Sequence, residues 1–293
     1  MKASAFSYIR PTTLDEALAL LAHHGEQAKV LSGGQSLMPA LNLRLSAPEW
    51  LVDIGSLSEL RGVVVADHTL RIGALTRHVD ILTSPEVAVH APLLTQAMAH
   101  VAHPAIRNRG TLGGNLAHAD PASEMPACML ALDAVIIVRD AQRERRVAAK
   151  DFFTGIYETA LAPDELLVAV ELPVAAVDSA HFFYEYARRK GDYAIVGLAA
   201  SAVRDGDGFA ELRVGFFAVG DKPLLAQASC LLLGGPVTAA MLAEAQAALA
   251  LELDPQEDRQ ASVAMRKHLA RQLLAQCVAT LLGRSDLALR KSA

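Results

Sequence analysis

The sequence has little cysteine and few aromatic residues. Its 293 residues include three cysteines, Cys128, Cys230 and Cys277, and aromatic side chains make up 5% of the chain. Iron–sulfur clusters generally need four clustered thiolates, so these scattered cysteines exclude a cluster held by this chain alone. We expect three reduced, buried thiols. The shortage of aromatic residues favours an α/β or α+β protein over a sandwich of aromatic-rich strands.

Long apolar runs and a dominant charge are also missing. No apolar stretch reaches the length of about eighteen residues that a membrane helix needs, and the first residues lack the apolar core of a secretory signal. The net charge is −5 with both signs interspersed, which leaves no electrostatic footprint for nucleic acid. The basic stretch 139–146 contains acidic residues and is predicted to be a solvated hairpin tip. We expect a cytoplasmic protein that binds no nucleic acid and has no membrane span.

The usual nucleotide fingerprints are absent, yet two glycine pairs stand out. The chain has neither the G-x-G-x-x-G pattern of Rossmann folds nor the G-x-x-x-x-G-K-[ST] pattern of P-loop proteins. One pair lies in segment 32–36 (SGGQS) and the other in segment 109–116 (RGTLGGNL). We place each pair at the end of a strand, where backbone N–H groups without neighbouring Cβ atoms can close on an anion. Two such loops suit the two phosphates of a pyrophosphate.

Hydrophobic periodicity predicts alternating helices and strands, with a domain boundary near residue 175. A capping box begins a helix at Thr13, and Gly25 ends it. Helices are also predicted over 87–101, from Asp120-Pro121 to 132, and over 224–233, 241–249 and 263–282. Strands are predicted over 28–31, 51–54, 63–65, 70–74, 135–138, 166–172, 182–186, 196–203 and 212–217.

Individual polar residues near the second glycine pair admit two interpretations. The Asp120 carboxylate can accept hydrogen bonds from a ribose, but Asp120 and Ser123 also suit helix capping. His103 and His118 have no second ligand at metal spacing, so we predict no metal site. Tyr193, at the start of a strand, is either an ordinary exposed aromatic residue or a platform for a ligand ring.

Longer segments resemble the flavin-binding signatures of one family. Segments 32–39 (SGGQSLMP) and 107–124 (RNRGTLGGNLAHADPASE) are similar to those of the FAD-binding medium subunit of molybdenum hydroxylases, the carbon monoxide dehydrogenase and xanthine dehydrogenase family. Segments 151–155 (DFFTG) and 187–194 (ARRKGDYA) also resemble family segments. The resemblance implies an α+β protein with a two-domain FAD-binding fold of the vanillyl-alcohol oxidase type (PCMH-like). A C-terminal three-stranded antiparallel sheet with helices would complete it.

The resemblance also implies domain limits. The FAD-binding domain would span 1–175, as two α/β subdomains of about 1–55 and 56–175. A domain like the C-terminal part of the carbon monoxide dehydrogenase flavoprotein would span 176–285, and 286–293 would be a loose tail.

Residue roles follow from the same resemblance. Segment 29–37 would form the first strand and loop of the FAD site, with 33–36 at the pyrophosphate. Leu167 would approach the adenine, and Tyr193 would lie beside the isoalloxazine ring. Glu124 stands where aspartate is common, which lengthens that carboxylate by one methylene. The implied FAD contacts are Lys29, Val30, Leu31, Ser32, Gly33, Gly34, Gln35, Ser36, Leu37, Val101, Thr111, Gly113, Gly114, Asn115, Ala117, Asp120, Glu124, Leu167 and Tyr193.

The implied function is electron transfer within a larger enzyme. FAD, held non-covalently because no attachment histidine is identifiable, would receive electrons from a small iron–sulfur subunit and pass them to an external acceptor. Molybdopterin and [2Fe-2S] clusters would belong to a large and a small partner subunit, in a dimer of heterotrimers. This chain would supply no catalytic side chain.

Two other functions stay open. One is a self-sufficient flavin-dependent oxidoreductase of the same superfamily, which would need its own proton donor in residues 176–293, where we identify none. The other is a flavin-free scaffold, which would have no physical need for two anion-binding loops. Neither the substrate of the whole enzyme nor the electron acceptor follows from the sequence.

Overall fold

The first part of the chain forms a small parallel sheet. The computed structural model describes residues 2–287. The sheet order is β1-β3-β2, so the strand that carries the first glycine pair lies at an edge. Thr13 accepts a hydrogen bond from the Glu16 amide at the start of the first helix, and Gly25 ends it at φ 50°. The elements are β1 (Ser7–Ile9), α1 (Leu14–His24), β2 (Ala28–Leu31), α2 (Leu37–Asn42) and β3 (Trp50–Asp53).

A five-stranded antiparallel sheet follows, in the order β4-β5-β10-β6-β7. Its strands are β4 (Val63–Ala66), β5 (Thr69–Gly73), β6 (Val135–Arg139), β7 (Glu144–Ala148) and β10 (Leu166–Pro173). A small hairpin of β8 (Phe153–Gly155) and β9 (Glu158–Thr159) stands apart. The helices are α3 (His78–Thr83), α4 (Pro85–His90), α5 (Pro92–Met98), α6 (Pro104–Arg107), α7 (Leu112–His118), α8 (Glu124–Ala131) and α9 (Ala149–Phe152).

The C-terminal part contains three long antiparallel strands, as predicted, with a two-residue fourth strand at the edge. A turn at Gly206-Asp207 joins the second and third strands. Two long helices follow, and the 20-residue helix packs against the first two strands of this sheet. The elements are β11 (Ser179–Tyr186), β12 (Val196–Asp205), β13 (Gly208–Phe217), β14 (Leu224–Leu225), α10 (Ala239–Glu252) and α11 (Val263–Leu282).

The hydrophobic cores cross the boundaries between these sheets. The core around α1 includes Ile137 and Val168 of the five-stranded sheet. The central core, around α5 and α8, includes Phe183 and Phe217 of the C-terminal sheet. A third core lies between that sheet and the two C-terminal helices. Because apolar surface is shared across each junction, the parts pack as one body.

Several local predictions are wrong, each for a physical reason. The helix predicted over 87–101 is two helices, because Pro92 has no N–H and begins a new one after Ala91. The helix predicted over 224–233 is instead β14 and a 3-10 turn, Gln227–Leu232. Cys230 is exposed on that turn, whereas Cys128 and Cys277 are buried as expected.

The last described residues of the chain form a short turn. Of the tail predicted to be loose, 286 and 287 belong to a short 3-10 turn in which Leu287 is buried. The rest, 288–293, lies outside the described residues. Within 2–287, none of the helices combines the length and apolarity needed to cross a membrane.

Candidate functional site

The first glycine pair forms an open loop of unpaired amides. Strand β2 ends at Leu31, and the loop continues to Ser36, after which α2 begins. Within residues 2–287, the four consecutive backbone N–H groups of 33–36 have no protein acceptor. Gly34 has φ 73°, which side chains rarely tolerate, and the Gln35 side chain donates to the Gly33 carbonyl at 3.1 Å. Unpaired consecutive amides can bind an anion such as a phosphate.

The second glycine pair differs from its prediction, because it lies in a helix and does not follow a strand. Thr111 is the N-cap of α7, and its side chain accepts from the Gly114 amide. The Gly113 amide donates to Ala74 at 2.8 Å, and the Asn115 amide donates to Thr111 at 3.0 Å. These N–H groups are therefore used inside the protein. This segment can therefore contact a ligand through its side chains and through the backbone surface that its glycines leave uncovered.

The two glycine segments lie against each other. The Ser32 and Thr111 hydroxyl oxygens are 2.7 Å apart, which is a hydrogen bond between residues far apart in sequence. A Cβ on Gly33 would overlap the carbonyl oxygen of Arg109 and lie 2.9 Å from the Gly110 Cα. Gly33 therefore allows the first loop to reach the second segment. The structure thus brings together the two signatures that the sequence analysis singled out.

Polar side chains after α7 are fixed by a local network. The Asn115 amide and the Ser123 hydroxyl are joined by hydrogen bonds of 2.8 and 3.0 Å. The Asp120 carboxylate accepts a hydrogen bond from the Ala122 amide at 2.9 Å and closes a turn. The next helix therefore begins at Glu124, and the predicted start at Asp120 is wrong. The Ser123 side chain makes no cap bond. One oxygen of Asp120 thus shapes the turn.

A cavity of about 470 Å³ adjoins Asp120 and receives residues from both halves of the chain. Tyr193 lies on it with 65% of its surface exposed, and Tyr157 lies beside it. Partial burial, with the nearby charge of Asp120, raises the pKa of Tyr193 to about 12. Tyr193 is therefore a neutral phenol at physiological pH, available for stacking or hydrogen bonding. The other lining residues are Pro121, Ala122, Ile156, Ala194, Ala218, Gly220, Asp221, Gln256, Asp258, Gln260 and Arg266.

A buried arginine that the sequence analysis missed holds this cavity together. The Arg266 guanidinium donates to the carbonyls of Ile195 and Ala218 and, at 2.7 Å, to the Asp258 carboxylate. The Ala218 amide in turn donates to the Pro121 carbonyl at 2.8 Å, across the domain junction. The available signal was that Arg266 is the one charged residue on the otherwise apolar buried face of α11.

The remaining predicted contacts are dispersed around this centre. Lys29 and Ala117 are exposed, and Val30, Leu31 and Leu37 are half-buried. Val101 and Leu167 are buried in the central core, so their side chains are directed into the protein. Gly113 packs against Ala74, whose amide donates to the carbonyl of Val168 beside Leu167. His103 lies against Gly191, and the His118 ring packs against the Tyr157 ring.

Comparisons with known proteins agree over nearly the whole chain. Family models described as the FAD binding domain in molybdopterin dehydrogenase and the CO dehydrogenase flavoprotein C-terminal domain match residues 4–175 and 181–281. The chain is 38% identical to the 6-hydroxypseudooxynicotine dehydrogenase complex subunit alpha of Paenarthrobacter nicotinovorans, over 97% of each chain. It is 38% identical to the caffeine dehydrogenase subunit beta of a Pseudomonas species, over 95% of each.

A solved structure confirms the predicted fold. A chain of the carbon monoxide dehydrogenase of Hydrogenophaga pseudoflava superposes with a TM-score of 0.94 at 34% sequence identity. The match covers 97% of this chain and 99% of the other. That enzyme was crystallised without the Mo-pyranopterin moiety of its molybdenum cofactor.

Proposed function

Because the chain belongs to the family of FAD-binding medium subunits of molybdenum hydroxylases, we propose that it is the FAD-carrying electron-transfer subunit of such an enzyme. It receives electrons from the iron–sulfur clusters of a partner subunit and passes them to an external acceptor. The chain is thus a subunit of an oxidoreductase. The alternative of a self-sufficient flavoenzyme has no particular observation in its favour.

The arrangement of the first loop carries this proposal. Four unpaired amides at 33–36 supply donors for a pyrophosphate, and the Ser32–Thr111 hydrogen bond holds the loop against the second signature. Asp120 is an acceptor for hydroxyl groups, and exposed Tyr193 offers a ring face for a flat ligand. The residues present therefore fit FAD, which supplies reversible one- and two-electron chemistry when bound.

The roles of individual residues remain predictions. We propose that 33–36 bind the pyrophosphate through their amides and that Asn115, Asp120 and Glu124 face the rest of the cofactor. The buried side chains of Val101 and Leu167 limit these two residues to backbone contacts. Gly113, whose amide is already engaged with Ala74, supports the site by allowing close packing.

The partners and domain limits are proposed on similar grounds. The names of the relatives, which include medium chains and a subunit of a dehydrogenase complex, support a multi-subunit enzyme. We propose a large molybdopterin subunit and a small iron–sulfur subunit, assembled as a dimer of heterotrimers. The proposed domains, 1–175 and 176–285, follow the family matches to 4–175 and 181–281. A cytoplasmic location stays a prediction.

The visible spectrum of the purified chain tests the proposal. We expect the chain, supplied with FAD, to become yellow and to release FAD into the supernatant on acid precipitation, because only hydrogen bonds and packing hold the cofactor. A colourless protein would contradict the proposed function. A yellow pellet would contradict only the non-covalent attachment. Co-expression with the neighbouring genes, followed by affinity purification, tests the proposed partners.

A further inference from the structure

Near the second signature are three ionisable side chains to which the proposed function gives no proton-transfer role. Glu185, on β11, has only 4% of its side chain exposed, and its Oε1 lies 3.4 Å from Nδ1 of His100. Its other carboxylate oxygen is buried and has no hydrogen-bond partner in the part of the chain that the structure describes. His100, just after α5, has 37% of its side chain exposed. The Glu185–His100 pair therefore connects a buried carboxyl group with solvent.

The third group is Glu124, the first residue of α8. Burial, with added repulsion from the Glu185 and Asp120 carboxylates, raises the pKa of Glu124 to about 8. No arginine or lysine among the described residues offsets this effect. Glu124 is therefore largely protonated at neutral pH and holds a proton inside the protein. The buried Cys128 thiol, one turn further along α8, has its pKa raised by burial and by Glu124, so it stays protonated.

The chemistry of the proposed function requires such a proton. Iron–sulfur clusters deliver electrons without protons, whereas a fully reduced flavin takes up at least one proton. A carboxylic acid and an imidazole at hydrogen-bond spacing are the groups that commonly move protons in proteins. Glu185 is coupled to both other groups, because its charge acts on Glu124 and its Oε1 lies 3.4 Å from Nδ1 of His100. A structural role for Glu185 would instead provide partners for both oxygens.

We propose that Glu124, Glu185 and His100 form a proton path between solvent and the FAD site. This inference rests on the proposed function. Bound FAD would supply the electron chemistry, and Glu124 would supply one O–H proton at the site and be left as a carboxylate. A proton entering from water at His100 would then pass to the Glu185 carboxylate and from there to Glu124, so that all three groups return to their starting state. The same groups would carry a proton back towards solvent when the cofactor is reoxidised.

Proton uptake during reduction tests the path directly. The full chain loaded with FAD is mixed in a stopped-flow instrument with reduced methyl viologen, which supplies electrons only, in unbuffered solution with a pH-indicator dye. We expect Glu185→Gln to slow proton uptake about tenfold or more while flavin content stays normal, because glutamine keeps the shape but cannot relay a proton. His100→Gln should slow it as well, and added imidazole should restore the rate.

The controls separate this inference from the proposed function. His90→Gln, the same substitution on a neighbouring helix, should leave proton uptake unchanged. Wild-type uptake rates in both Glu185→Gln and His100→Gln would overturn the path. A wild-type chain that binds no FAD would instead overturn the proposed function.

Infrared spectroscopy gives a second readout that needs no flavin. The wild-type chain at neutral pH should show the carbonyl band of a protonated carboxylic acid, and Glu124→Gln should remove it. The absence of this band from the wild-type protein, or its persistence in Glu124→Gln, would also overturn the path.

Discussion

At the scale of single residues, His78 shows how the site limits stability in acid. It begins α3 beneath the second signature, with its amide donating to Gly110 at 2.9 Å, and its side chain is buried. Neither ring nitrogen has a hydrogen-bond partner within the described residues. Burial lowers the pKa of His78 to about 4 from an ordinary value of 6.5. The folded chain therefore keeps this imidazole neutral where the unfolded chain protonates it.

The sign of the pH effect follows from these two pKa values. Between pH 6.5 and about 4 the unfolded state binds the extra proton, so the free energy of unfolding falls as the pH falls through this window. The loss approaches roughly 3 kcal/mol at the acid end. Urea unfolding at several pH values should show that His78→Phe removes this part of the pH dependence. The same substitution at exposed His23 should leave it in place, and an unchanged slope in His78→Phe would contradict the assignment.

Residue types at the site were predictable, but their surroundings were not. The resemblance of two short segments to family motifs identified Glu124 and Tyr193 as candidate FAD contacts, because such a motif can be matched without knowing the rest of the fold. The pKa of Glu124 depends on Glu185, which a separate strand brings near, and the chain just after Tyr193 is held by Arg266 through the Ile195 carbonyl. Such partners are set by tertiary packing, so no local pattern indicates them.

At the scale of elements, the contact between the two glycine segments should be the feature most sensitive to substitution. Gly33→Ala would place a Cβ against the Arg109 carbonyl, which belongs to backbone and cannot rotate away. We expect a loss of about 1–3 kcal/mol in the free energy of unfolding and much weaker FAD binding, since the loop must move. FAD titration and urea unfolding measure the two effects.

Gly220→Ala is the matched control for that substitution. Its nearest neighbour would be the Asp254 carbonyl oxygen at 3.7 Å, an ordinary contact. It should leave both stability and FAD affinity nearly unchanged, even though Gly220 also lines the cavity. Equal effects of the two substitutions would show that the close approach at Gly33 has no special importance.

The elements themselves were largely predictable where the pattern was long. Most strands of both antiparallel sheets and the helix over 263–282 follow from periodicity, whereas β7 and β14 were not predicted. The second glycine pair was misplaced because glycine also fits a helical first turn when a threonine caps it, as Thr111 does. The Asp120 turn was misread for a similar reason, since aspartate caps helices and also closes turns.

At the scale of the whole molecule, the Arg266 hydrogen bonds link α11 to the ends of two strands of the C-terminal sheet. Arg266→Met should lower the free energy of unfolding by about 3 kcal/mol, because it leaves the Ile195 and Ala218 carbonyls without their donor. Calorimetry or urea unfolding measures the change. Arg143→Met, which removes an exposed ion pair with Asp140, should cost less than about 1 kcal/mol. Similar losses in both variants would refute the role given to Arg266.

The general architecture was predictable because the resemblance extends along the entire chain. What it could not convey is how the parts share their cores. Ile137 and Val168 complete the core of the small N-terminal sheet, and Phe183 and Phe217 complete the central one. Shared cores arise from pairings between distant segments, which the amphipathic pattern of either segment alone leaves undetermined.

The hydrogen bond between Ser32 and Thr111 has a consequence for how the chain matures. The two residues are 79 positions apart, one in the loop after β2 and the other at the N-cap of α7, so this contact forms only when distant segments come together. Tyr193 arrives later still, from the last portion to be synthesised. A nascent chain interrupted before that point would lack part of the proposed flavin site, so flavin binding should require synthesis beyond Tyr193.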